Sequence, residues 1–141
     1  MKALAIYIHV PFCVRKCAYC DFASFAGREG QWPAYFDALG REIVAWADVL
    51  RTYELRSIFF GGGTPSLVPA EMIAGVLRQL RETAQIAADA EITLEANPGT
   101  LTREKLEIWK NAGINRLSMG VQSFDDALLH MLGRIHTADM A

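Results

Sequence analysis

Short apolar segments alternate with longer amphipathic segments along the whole chain, and this order limits the possible folds more than any other feature of the sequence. The segments with the length and composition of β-strands are residues 4–9, 57–60, 91–96 and 115–121. Segments with helical character follow them at residues 34–52, 69–84, 102–113 and from residue 125 onward. Strands that alternate with helices through short connections form parallel sheets with right-handed crossovers. The sequence therefore predicts an α/β fold with a parallel sheet.

The helical segments carry both the spacing and the end signals of amphipathic helices. Apolar residues of the first segment recur every three or four positions, at Phe36, Leu39, Ile43, Val44, Ala47 and Leu50. This spacing predicts one helix with a single buried face, and Pro33 suits its first turn. In the third segment, Thr102 predicts an N-cap and Gly113 a C-terminal stop. Asp125 opens the last predicted helix.

Composition and charge argue against several classes of protein. Of the 141 residues, 52% are hydrophobic, which is typical of a packed domain. The net charge is −2, with 14 basic and 16 acidic residues spread along the chain, so the sequence does not predict a nucleic-acid partner. No apolar stretch approaches the roughly 20 residues that cross a bilayer, and the apolar start of the chain reads as a buried strand. We therefore expect a protein without an integral membrane segment.

All three cysteines lie close together, at Cys13, Cys17 and Cys20, with the spacing C-x3-C-x2-C. An odd number of clustered cysteines is unlike a secreted disulfide framework, and it indicates a cytoplasmic protein with a cofactor. Thiolates bind soft metals, and three in one loop can converge on one centre. The spacing alone leaves three interpretations open. The cysteines bind nothing, or they form a zinc site completed by His9 or Asp21, or they hold a four-iron cluster with one iron left open.

Glycines follow the second predicted strand directly, in the run Gly61-Gly62-Gly63-Thr64-Pro65. Glycines at such a point let the backbone approach a ligand closely and expose N–H groups, and Thr64 adds a hydroxyl. No lysine follows the run, so the sequence does not predict a phosphate-binding P-loop. A glycine-rich turn is also common for purely structural reasons, so by itself it gives weak support for a site.

Polar residues also mark the other predicted strands. Glu95 ends the third strand, where its carboxylate could accept the hydroxyls of a ribose, and Gln122 ends the fourth. Tyr7 and His9 lie in the first strand, just before the cysteine loop. Each residue has an ordinary alternative, as a solvated charge or a packed side chain. Together with the cysteines and glycines, however, Glu95 and Gln122 follow the carboxyl ends of successive strands, where parallel α/β barrels build their sites. The joint pattern predicts one functional site at that edge.

Three longer motifs resemble those of a known family. They are Tyr7-Ile8-His9-Val10-Pro11-Phe12-Cys13 with the cysteine loop, Gly61-Gly62-Gly63-Thr64-Pro65-Ser66, and Ser118-Met119-Gly120-Val121-Gln122-Ser123-Phe124. Over essentially its whole length the chain resembles the oxygen-independent coproporphyrinogen III oxidase family of radical S-adenosylmethionine (SAM) proteins. The resemblance implies the first four βα units of a partial TIM-type (β/α)6 barrel. We expect residues 1–141 to be the N-terminal part of the radical SAM core domain, with the other barrel strands and a C-terminal domain absent.

The resemblance also implies cofactors and residue roles. Cys13, Cys17 and Cys20 would hold a [4Fe–4S] cluster whose fourth iron binds SAM, and one electron passed into SAM would generate a radical. By position, the residues that match cofactor-binding residues of the family are Tyr7, Tyr19, Gly62, Gly63, Thr64, Glu95, Gln122 and Arg134. The glycines and Thr64 match contacts to the methionine part of SAM, and Glu95 matches a ribose-binding carboxylate. Tyr7 and His9 match residues beside the cluster.

One position distinguishes two functions within this family. Its oxidases carry a further cysteine two residues after the last cluster cysteine, whereas this chain has Phe22 there. The sequence Cys20-Asp21-Phe22 is similar to that of relatives regarded as heme chaperones. The resemblance therefore implies a protein that binds heme or a porphyrin and delivers heme to acceptor proteins of respiration, with a flavodoxin- or ferredoxin-like electron donor. The alternative is an oxygen-independent oxidase that decarboxylates coproporphyrinogen III.

Overall fold

The computed structural model describes all residues from Met1 to Ala141. Its strands are β1 (Lys2–Val10), β2 (Phe12–Cys13), β3 (Phe25–Ala26), β4 (Tyr53–Gly62), β5 (Gln85–Ala96) and β6 (Arg116–Met119). Its helices are α1 (Trp32–Ala45), α2 (Ala47–Leu50), α3 (Ala70–Thr83), α4 (Arg103–Ala112) and α5 (Asp126–Leu132). Short 3₁₀ turns lie at Glu29–Gln31, Pro65–Leu67 and Pro98–Thr100. None of the helices is long and apolar enough to cross a membrane.

Strands β1, β4, β5 and β6 form one sheet in that spatial order, and every pair of neighbours is parallel. The register aligns Ile6 with Ile58 and Phe60 with Leu94. Parallel neighbours need a crossover connection, so helices return the chain to the starting end of the sheet before each new strand. The carboxyl ends of all four strands therefore meet at one edge. The prediction of an α/β fold with a parallel sheet is confirmed.

The hydrophobic core lies where the central strands face helices α1, α3 and α4. Leu55, Ile58 and Phe60 of β4 are fully buried. Helix α3 contributes Ile73, Val76, Leu77 and Leu80, whose spacing follows one helical face. Burying a side chain of this size stabilises a fold by about 1.5–3 kcal/mol relative to exposure. The core therefore fixes the sheet whose edge carries the predicted site.

Capping residues determine where the later helices begin and end. Thr102 Oγ1 accepts a hydrogen bond from Lys105 N–H at 3.2 Å, and Asp125 Oδ1 accepts one from Leu128 N–H at 3.1 Å. Gly113 follows α4 with a left-handed φ of 104°. The predicted N-cap at Thr102, the stop at Gly113 and the helix start at Asp125 are confirmed.

The predicted single helix over residues 34–52 is wrong. Helix α1 ends at Ala45, and Trp46 leaves the helical region with φ −91° and ψ 3° before α2 begins. The apolar spacing does not reveal this break, because Ile43 and Leu50 are buried on either side of it. Val44, predicted for the buried face, is exposed. A short bend therefore replaces what periodicity alone predicts as continuous helix.

Strands β4 and β5 begin earlier than predicted, at Tyr53 and Gln85. The additional part of β5 includes Ala87-Ala88-Asp89-Ala90, residue types with low β propensity, so composition does not reveal it. The register between β4 and β5 also shifts between Leu55 and Ser57. This irregularity accommodates the weak segment within the longer strand.

Strand β6 is shorter than predicted and ends at Met119. Gln122 therefore lies in the turn beyond β6 and does not end the strand. The cysteine loop, predicted to lack regular structure, contains β2, which pairs with β3 in a small parallel sheet. Only two residues of each strand take part, which is too short for a periodic pattern to predict.

Candidate functional site

A cavity of about 220 Å³ lies at the carboxyl-end edge of the sheet. The cysteine loop, the turns after β4, β5 and β6, and the segment after α5 form its wall. Nine residues predicted for the site line it: Cys13, Cys17, Tyr19, Cys20, Gly63, Thr64, Glu95, Gln122 and Arg134. The structure therefore brings into one cavity predicted residues from both ends of the chain.

Backbone hydrogen bonds shape the cysteine loop. Cys13 is buried in β2, next to the point where Phe25 N–H donates to Pro11 O at 2.8 Å. Farther along the loop, Cys20 N–H donates to Cys17 O at 3.0 Å. These bonds hold the start and the end of the C-x3-C-x2-C segment.

Two of the three cysteine sulfurs have hydrogen-bond donors beside them, and all three thiols are free of disulfides. Thr64 Oγ1 donates to Cys13 Sγ at 3.6 Å, and Arg134 Nη1 donates to Cys17 Sγ at 3.5 Å. Hydrogen bonds to the ligating atoms are a common feature of the surroundings of metal sites. The surroundings of Cys13 and Cys17 therefore suit metal ligation.

The potential metal ligands of the chain are not grouped around one point that could hold a single metal ion. No three His, Cys, Asp or Glu side chains of the chain are grouped so that they could hold one ion. His9, a predicted fourth ligand of a zinc site, lies with Nε2 2.8 Å from Ala23 O. The thiolates of an iron–sulfur cluster bind different irons, so their sulfurs need not converge on one point. The single-ion alternative is therefore not assembled in this structure.

The glycine turn packs directly on the backbone that leads into the cysteine loop. Gly63 N–H donates to Val10 O at 2.8 Å, and Thr64 N–H donates to Phe12 O at 2.7 Å. A Cβ atom on Gly63 would lie only 2.6 Å from Phe12 O. Gly62 has a φ of 117°, a conformation that other residues rarely adopt. Close approach at one position and backbone conformation at the other therefore explain two glycines of the run.

Glu95 directs its carboxylate at the glycine turn. Its Oε2 accepts a hydrogen bond from Gly62 N–H at 3.2 Å. Burial raises the pKa of Glu95 above its ordinary value of 4.5, while the Gly62 N–H and the nearby His9 partly oppose this rise. A carboxylate that lines a cavity with only part of its accepting capacity used can accept hydroxyl groups of a ligand.

Tyr7, His9 and Gly62 lie beside the cavity and are not part of its wall. His9 Nε2 donates to Ala23 O, because a carbonyl oxygen can only accept. In the neutral ring Nδ1 is then the acceptor, and Tyr7 O–H donates to it at 3.2 Å. Burial raises the pKa of Tyr7, and the carboxylate of Glu95 raises it further. His9 thus ties β1 to the segment that leaves the cysteine loop.

Gln122 and Arg134 approach the cavity from the β6 side. Gln122 has a φ of 69°, a left-handed conformation that is uncommon outside glycine. Arg134 donates from Nη2 to Gly120 O and from Nη1 to Tyr19 OH at 3.4 Å. Burial raises the pKa of the Tyr19 hydroxyl, and the Arg134 guanidinium partly offsets this. Arg134 Nε is buried and has no partner in the protein, and the residue lines the cavity, so its guanidinium places a positive charge at the wall.

A buried polar network behind the cavity was not predicted from the sequence. Ser66 is fully buried, hydrogen-bonds the Thr100 hydroxyl, and accepts Asn97 N–H at 3.0 Å. Lys105 Nζ donates to Ser66 O at 2.7 Å and to Leu67 O at 3.1 Å, and burial lowers the pKa of Lys105. The network joins the glycine turn to the turn after β5. The only signal in the sequence was the place of Ser66 at the end of the glycine motif.

Comparison with known proteins finds similar sequences over nearly the whole chain. Residues 7–141 match the model of the Radical SAM superfamily. The heme chaperones HemW of Haemophilus influenzae and Escherichia coli are 46% and 44% identical to the chain. These alignments cover 98% and 96% of this chain, but 37% and 36% of the two relatives. The chain therefore spans little more than a third of the length of these relatives.

A solved structure is similar as well. Coproporphyrinogen III oxidase HemN from Escherichia coli, a radical SAM enzyme, matches with a TM-score of 0.91 and 32% sequence identity. The match covers 99% of this chain and 32% of that chain. This likeness confirms the predicted fold class, a partial TIM-type barrel with a parallel sheet.

Proposed function

Because the chain belongs to the radical SAM superfamily, we propose that Cys13, Cys17 and Cys20 hold a [4Fe–4S] cluster beside a SAM-binding cavity. Membership of the superfamily implies both cofactors. The observation that carries the assignment to these residues is that all three cysteines line one cavity together with Glu95 and Arg134. When bound, the cluster supplies the electron that cleaves SAM.

In this proposal the residues nearest the sulfurs hold the cysteine loop in the conformation that binds the cluster. Thr64 and Arg134 donate to the sulfurs of Cys13 and Cys17, and hydrogen bonds of this kind orient ligating side chains. Close packing of Gly63 on Phe12 keeps the glycine turn next to the cluster loop.

Residues of the cavity wall, Thr64 and Arg134 among them, also contact SAM. The backbone of the glycine turn and the Thr64 hydroxyl bind the methionine part, and Glu95 accepts the ribose hydroxyls. The guanidinium of Arg134, which lines the cavity, gives the site a positive charge for the carboxylate of SAM. Tyr19 and Gln122 complete the wall, while Tyr7 and Gly62 act from beside the cavity.

We further propose that the whole protein is a heme chaperone. The identities of 46% and 44% to two heme chaperones support this function, as does Phe22 at the position where the oxidases carry cysteine. The proposal includes heme as ligand, respiratory heme proteins as acceptors, a flavodoxin- or ferredoxin-like electron donor and a cytoplasmic location. Residues 1–141 then form the N-terminal part of the core domain of a longer protein.

An oxygen-independent coproporphyrinogen III oxidase is the second candidate. The close structural likeness to HemN, with a TM-score of 0.91, favours it. Sequence identity is lower in that comparison, at 32%, than in the comparisons with the two chaperones. We therefore rank the chaperone first.

Electron paramagnetic resonance of anaerobically reconstituted, dithionite-reduced protein tests the cofactor assignment. We expect a four-iron signal that shifts when SAM is added, because SAM changes the ligands of the open iron. In Cys17→Ala the iron and sulfide content should fall to background, since two thiolates cannot anchor the cluster. A colourless bound metal without acid-labile sulfide would contradict the assignment, and so would wild-type iron and sulfide in Cys17→Ala.

Heme titration of the longer protein that contains this chain tests the choice between the two functions. A chaperone should bind heme stoichiometrically, seen as a new Soret absorption band, and should show no decarboxylation of coproporphyrinogen III. Decarboxylation with SAM and a reductant would instead establish the oxidase.

A further inference from the structure

His136 follows the cavity residue Arg134 by two positions, and no motif pointed to it. Its side chain is buried, with 3% exposure. Its Nε2 lies 3.0 Å from Val121 O, and its Nδ1 is buried without any partner. Because the carbonyl oxygen can only accept, Nε2 must carry the hydrogen. A proton on Nδ1 would add a buried charge beside the Arg134 guanidinium, so the geometry requires a neutral ring with one defined tautomer.

The pKa of His136 agrees with that geometry. Burial lowers the pKa of the imidazole below its ordinary value of 6.5. The hydrogen bond to Val121 partly opposes this shift, and the charge of Arg134 adds to it. The ring therefore acts at neutral pH as a fixed neutral donor.

The carbonyl that His136 contacts belongs to a strained turn. Ser123 N–H also donates to Val121 O, at 2.9 Å, and this bond closes a three-residue turn centred on Gln122. The φ of 69° at Gln122 places the turn in the rare, strained class of γ-turns. A second donor on the same carbonyl opposes relaxation of that turn. His136 therefore stabilises the backbone conformation from which Gln122 reaches the cavity wall.

Arg134 and His136 both donate hydrogen bonds to the turn after β6. Arg134 donates to Gly120 O, and His136 donates to the carbonyl of the next residue, Val121. Arg134 and Gln122 both line the cavity, whereas His136 does not. The segment after α5 therefore contributes one residue to the cavity and a second residue that supports the neighbouring turn after β6.

We propose that His136 is a positioning residue for the cavity, which acts through Val121 O to hold Gln122 in its left-handed conformation. The part of this inference that concerns SAM rests on the proposed function. The part that concerns the turn stands on the hydrogen bonds alone.

Two amide variants of His136 separate the effect of its hydrogen bond to Val121 O from the effect of burying a polar side chain. His136→Gln retains an N–H donor at nearly the reach of Nε2, whereas His136→Asn carries the same amide on a shorter side chain that cannot reach Val121 O. In hydrogen–deuterium exchange of the protein without cofactors, the segment 120–123 should exchange roughly five- to tenfold faster in His136→Asn. His136→Gln should stay within about twofold of wild type. His130→Asn, at an exposed position of α5, is the matched control.

SAM affinity is the second measurement, made by equilibrium dialysis on reconstituted protein with equal iron content. His136→Asn should weaken SAM binding roughly five- to tenfold, and His136→Gln should restore it. Unchanged exchange of segment 120–123 in His136→Asn would overturn the proposal. If wild type itself does not bind SAM, the proposed function is wrong. The hydrogen–deuterium exchange of segment 120–123 then tests the positioning role of His136 by itself.

A measurement on wild type covers the case in which His136→Asn does not fold. Long-range proton–nitrogen correlation spectra of the imidazole distinguish its two tautomers. The Nε2–H tautomer supports the role of His136, and the Nδ1–H tautomer overturns it.

Discussion

Glu95 is the residue where burial, charge and the proposed ligand meet. Its carboxylate is half-buried against the glycine turn, and burial raises its pKa above 4.5. The folded protein therefore binds this proton more tightly than the unfolded chain does. As pH rises through the raised pKa, the proton is lost and the contribution of Glu95 to the free energy of unfolding falls. A charged group held at such a cost beside a cavity is typical of a functional site.

We predict that Glu95→Gln keeps wild-type iron and sulfide content but binds SAM roughly ten- to hundredfold more weakly, because ribose hydroxyls lose a charged acceptor. Wild-type affinity should also weaken as pH is lowered through the raised pKa, while the affinity of the variant stays constant. Equilibrium dialysis of SAM against pH measures both effects. Glu91→Gln, an exposed position of the same strand, is the control. Equal affinities of Glu95→Gln and wild type would remove the ribose role.

At the residue scale, the sequence predicts residues that line the cavity better than residues that support them. Cys13, Cys17 and Cys20 are recognisable because their spacing is local, and Glu95 because it lies at the end of an apolar strand. His136 and Lys105 act instead on backbone carbonyls that are remote in the sequence. Since any residue offers a carbonyl, no local pattern identifies such a partner.

At the scale of elements, the glycine turn lies so close to the cysteine loop that no side chain fits between them at position 63. A methyl group at position 63 would meet Phe12 O at 2.6 Å and Phe12 N at 2.8 Å, both backbone atoms that cannot rotate away. We predict that Gly63→Ala separates the two elements, lowers the free energy of unfolding by about 1–3 kcal/mol and reduces cluster content. Urea unfolding and iron assays measure these effects.

Gly75→Ala is the matched control for that prediction. Gly75 lies within α3, where an added Cβ would meet only Arg78 Nη2, at an ordinary distance of 3.8 Å. The substitution should raise the free energy of unfolding by about 0.5–1 kcal/mol, because alanine favours a helix over glycine. Equal destabilisation by both substitutions would show that the contact of Gly63 with Phe12 is not special.

Elements with strong local signals were predicted, and elements defined by tertiary contacts were not. The order of strands and helices follows from alternation of apolar segments, and the cap at Thr102 follows from its own side chain. The bend at Trp46 leaves apolar spacing intact on both sides. The pairing of β2 with β3 depends on two residues from each strand, so only the folded chain defines it.

For the molecule as a whole, the site connects the beginning of the chain to its last helix. Arg15 Nε and Nη2 both donate to Gly133 O, at 3.1 and 2.8 Å, across 118 residues of sequence. Gly133 ends α5 with a φ of 78° and directly precedes Arg134. The position of Arg134 at the cavity therefore depends on a contact made from within the cysteine loop.

We predict that Arg15→Ala loosens the contact between the cysteine loop and the end of α5 without unfolding the sheet. The segment 133–136 should lose protection against hydrogen exchange, and the free energy of unfolding should fall by about 1 kcal/mol, the usual contribution of one net hydrogen bond. SAM binding should weaken as well, because Arg134 loses its anchor while all three cysteines remain. Arg28→Ala, at an exposed position whose side chain makes no capping hydrogen bond, should leave exchange and affinity unchanged. If both variants behave alike, the cysteine loop and α5 are held together by packing, and the two ends of the chain reach the cavity independently of Arg15.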